Sequence, residues 1–249
     1  MSNHFSYDEY KEIIGFLTKH RGLKVLDYCD IDDESDQFCI LRHDVEYSPD
    51  RALTLAKFEA NSLGVSSSYF FQFRNNTYNM FSQKNLSIIH EIHKLGHKIG
   101  LHVHLDACDN WINDYIIRDI KTMELALGID IDRYSYHRPP IGLLEKNLIV
   151  DNKVNVYDKM YFHFYKGEKP RSLDVSYISD SNHQWKFGHP LDILDNVTKV
   201  HLLFHPFSWT KKGYENFDNF KMLVKEKKNE LVQSMNDEIK TFPEDLLGN

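Results

Sequence analysis

The sequence has few cysteines and no long apolar segment, and each shortage argues against a class of protein. Its three cysteines, Cys29, Cys39 and Cys108, form no CxxC pair and leave one thiol over in any disulfide scheme. A reducing compartment is therefore expected. No apolar run approaches the ~18–20 residues that a membrane-spanning helix needs. The first residues, MSNHFSYDEYKEII, lack the basic start and apolar core of a secretory signal. We therefore expect a cytoplasmic protein without a transmembrane segment.

The chain also lacks any surplus or run of basic residues. Its formal net charge is -7, which argues against nucleic acid or an anionic membrane as the main partner. Hydrophobic residues make up 41% and charged residues 27%, as in ordinary soluble domains. Because 249 residues suffice for one α/β barrel with a sizeable core, we expect residues 1–249 to form a single domain. The one type in clear excess is histidine, with 14 copies.

Short apolar segments alternate along the chain with segments that have helical periodicity. This alternation predicts a mostly parallel sheet, either open or closed into a barrel. Ser48-Pro49 is a typical helix start, and Gly64 a typical helix end. No element is predicted for residues 142–170. The predicted strands are residues 38–41, 68–73, 97–103, 133–136, 174–178 and 200–204, and the predicted helices are 8–20, 49–63, 85–95, 111–127 and 216–239.

Polar side chains follow several of these strands, at the points where the strands end. Active sites of parallel α/β proteins gather at the carboxyl ends of strands. Four separate strand ends therefore point to one site. The residues concerned are Asp44, Glu46, His102, His104, Arg138 and His205.

Asp44 and Glu46 share one side of an extended segment, with Val45 on the other. Two neighbouring carboxylates repel each other unless a cation or a proton lies between them. One solution is a metal ion held by one carboxylate and a water molecule activated by the other. The alternative is that both stabilise the N-terminus of the helix that follows Ser48.

His102 and His104 share a face if their segment stays extended, whereas His102 and Asp106 share one if it turns helical. Either pair suits zinc or another borderline divalent ion. The alternative is that at least one of the two histidines is structural.

Two further segments place polar groups after predicted strands. Residues 138–142, RPPIG, combine the permanent charge of Arg138 with a rigid turn; the alternative is an ordinary loop with an exposed arginine. His205 follows a predicted buried strand, which Pro206 would end, and Trp209 is expected to form a wall of the site. His205 is a candidate general acid, or else a buried structural histidine. A nucleophilic serine or cysteine is not supported, because the sequence has no G-x-S-x-G motif and Cys108 has no defined base beside it.

Over about residues 40–209 these segments resemble the polysaccharide-deacetylase, or NodB-type carbohydrate esterase, superfamily. The opening RHDVE at 42–46, followed by Pro49, is similar to the Arg-His-Asp-Val-Asp motif of a branch associated with surface-polysaccharide biosynthesis. The segment IGLH at 99–102 resembles the second motif, and residues 138–142 match the third, Arg-x-Pro-x-Gly. The resemblance implies a distorted (β/α) barrel.

The resemblance also implies a role for each matched residue. Asp44 would be the catalytic base, oriented by Arg138, and Glu46 and His102 would be metal ligands. His205 ends the fifth motif and would be the general acid. Asp180 lies ahead of Trp185 as in the fourth motif, which implies a place for Asp180 in the catalytic site.

The sequence departs from the resembled pattern at two positions. Glu46 stands where the family has aspartate, and Asp106 stands where it has a second metal histidine, four residues after the first. The third ligand is therefore expected to be His104 or Asp106. His104 is favoured because an extended strand end would put it beside His102. Among divalent ions zinc is the expected one.

We therefore expect a metal-dependent hydrolase that removes an acyl group, chiefly acetyl, from the amide nitrogen of an amino sugar. Its partner would be an N-acylated sugar, such as a nucleotide-linked or lipid-linked one. One alternative is a metal-dependent hydrolase of a non-sugar amide. The other is a non-catalytic glycan-binding protein of the same fold, which the residues at Glu46 and Asp106 would favour. The sequence does not indicate an oligomeric state.

Overall fold

The centre of the protein is a parallel sheet curled into a distorted barrel. The computed structural model describes residues 4–104, 111–163, 175–186 and 188–243. All strand pairings in the sheet are parallel. The strands are β1 (Lys24–Val25), β2 (Phe38–Val45), β3 (Ser68–Gln72), β4 (Lys98–His104), β5 (Arg133–His137), β6 (Val154–Asn155), β7 (Ser176–Ser179) and β8 (Lys199–Phe204).

Helices connect most of the strands, as a parallel topology requires. They are α1 (Tyr7–Gly15), α2 (Pro49–Phe58), α3 (Gln83–Lys94), α4 (Ile112–Leu127), α5 (Ile141–Lys146), α6 (Pro190–Ile193) and α7 (Asn216–Glu238). Single π-helical turns extend α1 through Phe16–His20 and α2 through Glu59–Leu63. Among the described helices none combines the length and the apolar character that crossing a bilayer demands.

The strand order confirms the predicted α/β fold, a distorted (β/α) barrel. The order is β6-β5-β4-β3-β2-β8-β7, with β1 beside β2. The segment that follows one edge strand, β6, contacts the other edge strand, β7. The rings of Phe162 and Tyr177 meet edge to face there, with centroids 4.9 Å apart. The backbone N–H of Val175 also donates to Nδ1 of His163 at 3.1 Å. The sheet is therefore curled far enough to enclose an interior.

Most predicted elements are present, and the differences lie in short segments. Ser48 caps α2 by accepting a hydrogen bond from the N–H of Arg51 at 3.2 Å, and Gly64 ends the extension of α2 with φ +67°. Both were predicted. The short β6 and all of α5 but its first residue fall within residues 142–170, for which no element was predicted. They carry too few residues to show a periodicity.

Strand β2 is buried on both faces, and its alternation separates two sets of polar groups. Arg42 and Asp44 face the barrel interior, whereas His43 faces outward towards Tyr10 of α1 and Glu59 at the end of α2. The interior is tightly packed. A Cβ atom at residue 100, a glycine in β4, would collide with the ring of Phe70 and lie 2.8 Å from Cγ of Arg133.

Outside the barrel, the fully buried carboxylate of Glu59 joins α1, α2, β2 and β3. It accepts hydrogen bonds from the hydroxyls of Ser67 and Tyr69, each at 2.7 Å, and from Tyr10. Nε2 of His43 lies 2.9 Å from the same carboxylate. Burial alone would raise the pKa of Glu59, but the charge and hydrogen bond of His43 outweigh it and lower the pKa to about 2. This network fixes the outer face of the strand that carries Asp44.

Glu59→Gln should lower the free energy of unfolding at pH 7 by about 3 kcal/mol, since it replaces a buried carboxylate that accepts hydrogen bonds from Tyr10, Ser67 and Tyr69. The pKa of Glu59 is lowered on folding, from 4.5 to about 2. Its contribution is therefore complete above about pH 4.5 and declines as the pH falls towards 2. Denaturant unfolding of wild type and variant between pH 7 and pH 3.5 should show the difference shrinking with acidity. Glu91→Gln, which removes an exposed pair with Lys57, is the matched control and should cost below about 1 kcal/mol. A pH-independent cost for Glu59→Gln would contradict the assignment.

Candidate active site

One cavity of about 1030 Å³ opens at the carboxyl ends of the strands. Its lining includes Asp44, Glu46, His102, Arg138 and His205, which the sequence analysis placed at four strand ends. The predicted convergence of these residues is therefore observed. Their chemical roles stay predictions.

Asp44 lies at the inner end of the cavity, only 2% exposed, and Arg42 holds it. Nε of Arg42 donates to Oδ1 at 2.9 Å and Nη2 donates to Oδ2 at 2.7 Å. Burial favours the neutral acid, but the charge and hydrogen bonds of Arg42 outweigh it and keep the pKa of Asp44 below its usual value. The carboxylate is thus ionised and fixed in one orientation. Among the described residues its side chain forms no hydrogen bond or ion pair with Ser48 or Arg138.

Glu46 follows β2 and is positioned by the loop after β3. Its backbone carbonyl accepts hydrogen bonds from Nδ2 of Asn75 at 2.7 Å and from Oγ1 of Thr77 at 2.8 Å. Tyr78 donates its hydroxyl proton to the preceding carbonyl, that of Val45, at 2.8 Å. These contacts fix the backbone so that the side chain of Glu46 reaches into the cavity.

Glu46, His102 and His137 bring three potential metal-ligating atoms within 4.8 Å of one another. Nδ1 of His137 lies 2.9 Å from Oε1 of Glu46 and 3.3 Å from Nε2 of His102. The third side of the triangle, from Nε2 of His102 to Oε1 of Glu46, measures 3.8 Å. Donors about 2.0–2.2 Å from a tetrahedral zinc ion are roughly 3.3–3.6 Å apart. The three spacings bracket this range, so the donor set fits a zinc-sized ion.

The charge and hydrogen-bond pattern of the triad suits metal binding. Burial opposes ionisation of Glu46, yet the neighbouring His102 and His137 keep its pKa far below the usual range. For His102, burial outweighs the neighbouring carboxylates and lowers the pKa. A neutral imidazole and an ionised carboxylate are the forms that bind metals. Nδ1 of His102 lies 2.8 Å from Oγ of Ser135. With its proton donated there, the Nε2 lone pair is directed to the triad.

His205 faces the triad from the far side, with its Nε2 atom 3.8 Å from Oε1 of Glu46. Its Nδ1 is 2.6 Å from Oδ1 of Asp180, and its backbone N–H donates to both oxygens of that carboxylate at 3.0 Å. Nε1 of Trp209 donates to Oδ2 of Asp180 at 2.7 Å. Burial would lower the pKa of His205, but the charge and hydrogen bond of Asp180, and then the charge of Glu46, raise it to about 9.

Two expected contacts need correction. The ion pair expected between Asp44 and Arg138 is replaced by that with Arg42, because Arg42 lies two residues earlier on the same face of β2. Arg138 itself is exposed at the cavity lining with φ +49°. Trp209 does not form a cavity wall: it is fully buried and contacts Asp180.

The expected third ligand, His104, does not belong to the triad. It is exposed at the end of β4, where its ring stacks on that of His137 with centroids 5.1 Å apart. His104 pairs in register with His137 on β5, so His137 is the residue that reaches Glu46. Asp106, the other candidate, lies outside the described residues.

His137 was missed because the predicted strand ended at Tyr136, one residue too early. Two signals in the sequence could have found it. His137 directly precedes the RPPIG segment, and it shares the inward parity of Arg133 and Ser135 along β5. A histidine that ends the strand next to β4 is as well placed for metal binding as one that ends β4 itself.

Aromatic side chains form one wall of the cavity. Tyr47 and Phe207 meet edge to face with centroids 4.8 Å apart. The rings of Phe207 and Phe220 are tilted against each other, with centroids 5.5 Å apart. All three line the cavity. They offer rigid apolar surface beside the charged triad.

Comparisons with known proteins gave structural matches alone; no family model and no curated sequence matches the chain. A CE4 family pseudoenzyme from Bacillus anthracis is similar with TM-score 0.44 and 9% identity over 80% of this chain. This chain spans 63% of that protein, less than two thirds of its length. The Xyl-CE4 domain of a multidomain xylanase from the hindgut metagenome of Trinervitermes trinervoides gives 0.41 and 12%, covering 85% of this chain and 89% of that one. The chitin deacetylase of the fungal pathogen Colletotrichum lindemuthianum gives 0.40 and 12%, with coverages of 76% and 81%.

His137→Ala should weaken Zn²⁺ binding by at least about 100-fold, more than the 10- to 100-fold typical of losing an outer partner. Ser135→Ala should fall within that lower range, since Ser135 contacts His102 and not the ion. Isothermal titration of the metal-free protein with Zn²⁺ measures all of these affinities. His104→Ala and Asp106→Asn test the two residues that the sequence favoured. A loss in either that equals the loss in His137→Ala would contradict the triad.

Proposed function

We propose that the chain is a divalent-metal-dependent hydrolase that removes an acetyl group from the amide nitrogen of an amino sugar. One observation carries the proposal: the triad of Glu46, His102 and His137 lies between a fixed carboxylate, Asp44, and a histidine of raised pKa, His205. Amide hydrolysis needs a base for the water and an acid for the departing amine. The two candidates flank the triad from different strands.

Asp44 is the proposed base. Its Oδ2 atom lies 3.6 Å from Nδ1 of His102, so it adjoins the triad without being part of it. Because Arg42 keeps the carboxylate ionised, Asp44 can accept a proton from the water that attacks the acyl carbon. Its low exposure keeps bulk water from competing for that proton.

His205 is the proposed acid. Asp180 accepts the proton on Nδ1 and fixes the ring, and Nε2 is left facing the triad. With a pKa of about 9, the imidazolium is the main form at neutral pH. It can therefore protonate the amide nitrogen as the C–N bond breaks. The products are acetate and a free amine on the sugar.

The metal proposed for the triad is zinc, which accepts two histidine nitrogens and one carboxylate oxygen in catalytic sites. Bound there, it would polarise the acyl carbonyl and lower the pKa of water. The longer carboxylate arm of Glu46 and the ring of His137 together complete the ligand set. Orientation of that set comes from Ser135 and from the loop that holds the backbone of Glu46.

A sugar is the proposed substrate because the cavity combines an aromatic wall with charged groups. Tyr47, Phe207 and Phe220 offer flat apolar faces, on which the C–H face of a sugar ring can pack. The scattered cysteines support a cytoplasmic setting for the protein. For this setting the proposed substrate is a soluble, conjugated N-acetyl sugar.

The proposal is tested by metal analysis together with acetate release. The purified protein should contain close to one divalent ion per chain. It should also release acetate from N-acetylglucosamine oligomers or from a nucleotide-linked N-acetyl sugar, and lose this activity with a chelator. Release from simple acetamides alone would favour the non-sugar alternative. A protein that binds N-acetyl sugars without metal and without releasing acetate would be the non-catalytic alternative, which the direct Glu46–His137 contact at 2.9 Å would then explain.

His205→Ala should slow amide hydrolysis by roughly 10²- to 10⁴-fold, while an activated ester should be hydrolysed almost as before. A good leaving group departs without a proton, so the ester does not need the acid. Paired turnover measurements on an N-acetyl sugar and 4-nitrophenyl acetate separate the two effects. His93→Ala, on an exposed face of α3, is the control. Equal losses on both substrates would remove His205 from the acid role.

Asp44→Asn should lose activity on both substrates by a similar factor, since each needs a proton taken from water. Zinc content should stay at the wild-type level, because Asp44 lies outside the triad. Glu46→Gln should lose zinc as well as activity, since a neutral oxygen is a weaker ligand. Full activity in Asp44→Asn would contradict the proposed mechanism.

A further inference from the structure

The guanidinium of Arg42 donates a hydrogen bond to each oxygen of Asp44 in a bidentate arrangement. The two hydrogen bonds measure 2.9 Å and 2.7 Å. Both side chains leave the same strand on the same face, two residues apart. A bidentate pair of this kind fixes the plane of the carboxylate, which a single hydrogen bond does not. The rotamer of Asp44 is therefore set by Arg42.

Arg42 is itself immobilised on three sides. Its Nη2 atom donates a second hydrogen bond to the hydroxyl of Tyr157 at 3.0 Å. The guanidinium lies over the ring of Tyr157, 4.8 Å from the centroid, and near that of Phe70 at 5.6 Å. Tyr157 in turn donates to the backbone carbonyl of Tyr136 at 3.2 Å. With no exposed surface, Arg42 cannot leave Asp44 without repacking the barrel interior.

Arg138 does not compete for this position. It lies at the cavity lining, is exposed, and has the left-handed φ of +49° just before Pro139. Among the ion pairs of the described residues, Asp44 is joined to Arg42 and His102. The arginine of the RPPIG segment is therefore directed to the cavity and leaves the base to a different arginine.

We propose that Arg42 is the positioning residue of the catalytic base, holding the carboxylate of Asp44 in the plane and direction from which it accepts a proton from water. The role as base rests on the proposed function; the positioning itself does not. Lysine at position 42 would keep the charge but replace the fork with a point donor. The carboxylate would then be free to rotate, and substrate binding would be little affected.

Arg42→Lys should therefore lower kcat for 4-nitrophenyl acetate by roughly 10²-fold, the loss typical of a misplaced catalytic group, with little change in KM. Arg42→Ala should be slower still, and added ethylguanidinium should restore part of its activity. Arg133 is the matched control: it is fully buried at the opposite end of the barrel and paired with Asp27 and Asp132. Arg133→Lys should keep the wild-type kcat per folded molecule, and ethylguanidinium should not raise the activity of Arg133→Ala. A larger kcat loss in Arg138→Lys than in Arg42→Lys would overturn the proposal.

A double-mutant cycle on thermal unfolding covers the case in which the wild type hydrolyses no probe. In that case the proposed function fails, but the cycle still reports which arginine holds Asp44. The changes in Tm for Arg42→Lys and Asp44→Asn should be clearly non-additive, whereas those for Arg138→Lys and Asp44→Asn should add. Additive changes in the first pair, or coupling in the second pair alone, would overturn the positioning role. Both lysine variants keep the positive charge, so the cycle does not require a protein that has lost a buried cation.

Discussion

The site depends on a buried ion pair, that of Arg42 with Asp44 in the interior of the barrel. Moving two charges out of water costs several kcal/mol for each ion, and only good geometry offsets this cost. Here a bidentate contact, the hydroxyl of Tyr157 and two aromatic faces surround the guanidinium. These partners come from β2, from β3 and from the segment after β6. The pair therefore depends on the curl of the sheet, because the curl brings Tyr157, which follows the edge strand β6, over the central strand β2.

Strand β2 carries two charge networks, one on each face. Arg42 and Asp44 face the interior, while His43 joins Glu59 outside, where Tyr10 and Tyr69 complete the contacts. The alternation of side chains along an extended strand keeps the two networks apart. Each also fixes the strand from its own side, so the direction of Asp44 is determined both by its own partner and by the packing behind its backbone. An error of one residue in register would exchange the two networks and bury both without partners.

The sequence predicted the parts of this arrangement that follow from local pattern. The strand-helix alternation predicted the parallel fold, and the polar residues at the ends of β2, β4 and β8 predicted four residues of the cavity lining, Asp44, Glu46, His102 and His205. What it did not reveal depends on neighbours that are distant in the chain or on side-chain direction. His137 needed the true end of β5 and the register between β4 and β5. To predict the partner of Asp44, one must know that the side chain of Arg42 lies along β2 towards the carboxylate. To predict the position of Trp209, one must know the packing around Asp180.

The length of the Glu46 side chain matches the distance to the strand that carries His137. Oε1 of Glu46 lies 2.9 Å from His137 and 3.8 Å from both His102 and His205. An aspartate on the same backbone would end about 1.5 Å earlier, by one C–C bond, and would fall short of β5. Hydrogen bonds from Asn75 and Thr77 to the carbonyl of Glu46 restrain the backbone from moving towards β5 to make up this length. A glutamate at position 46 is therefore long enough to reach His137 on β5, the strand next to the one that carries His102.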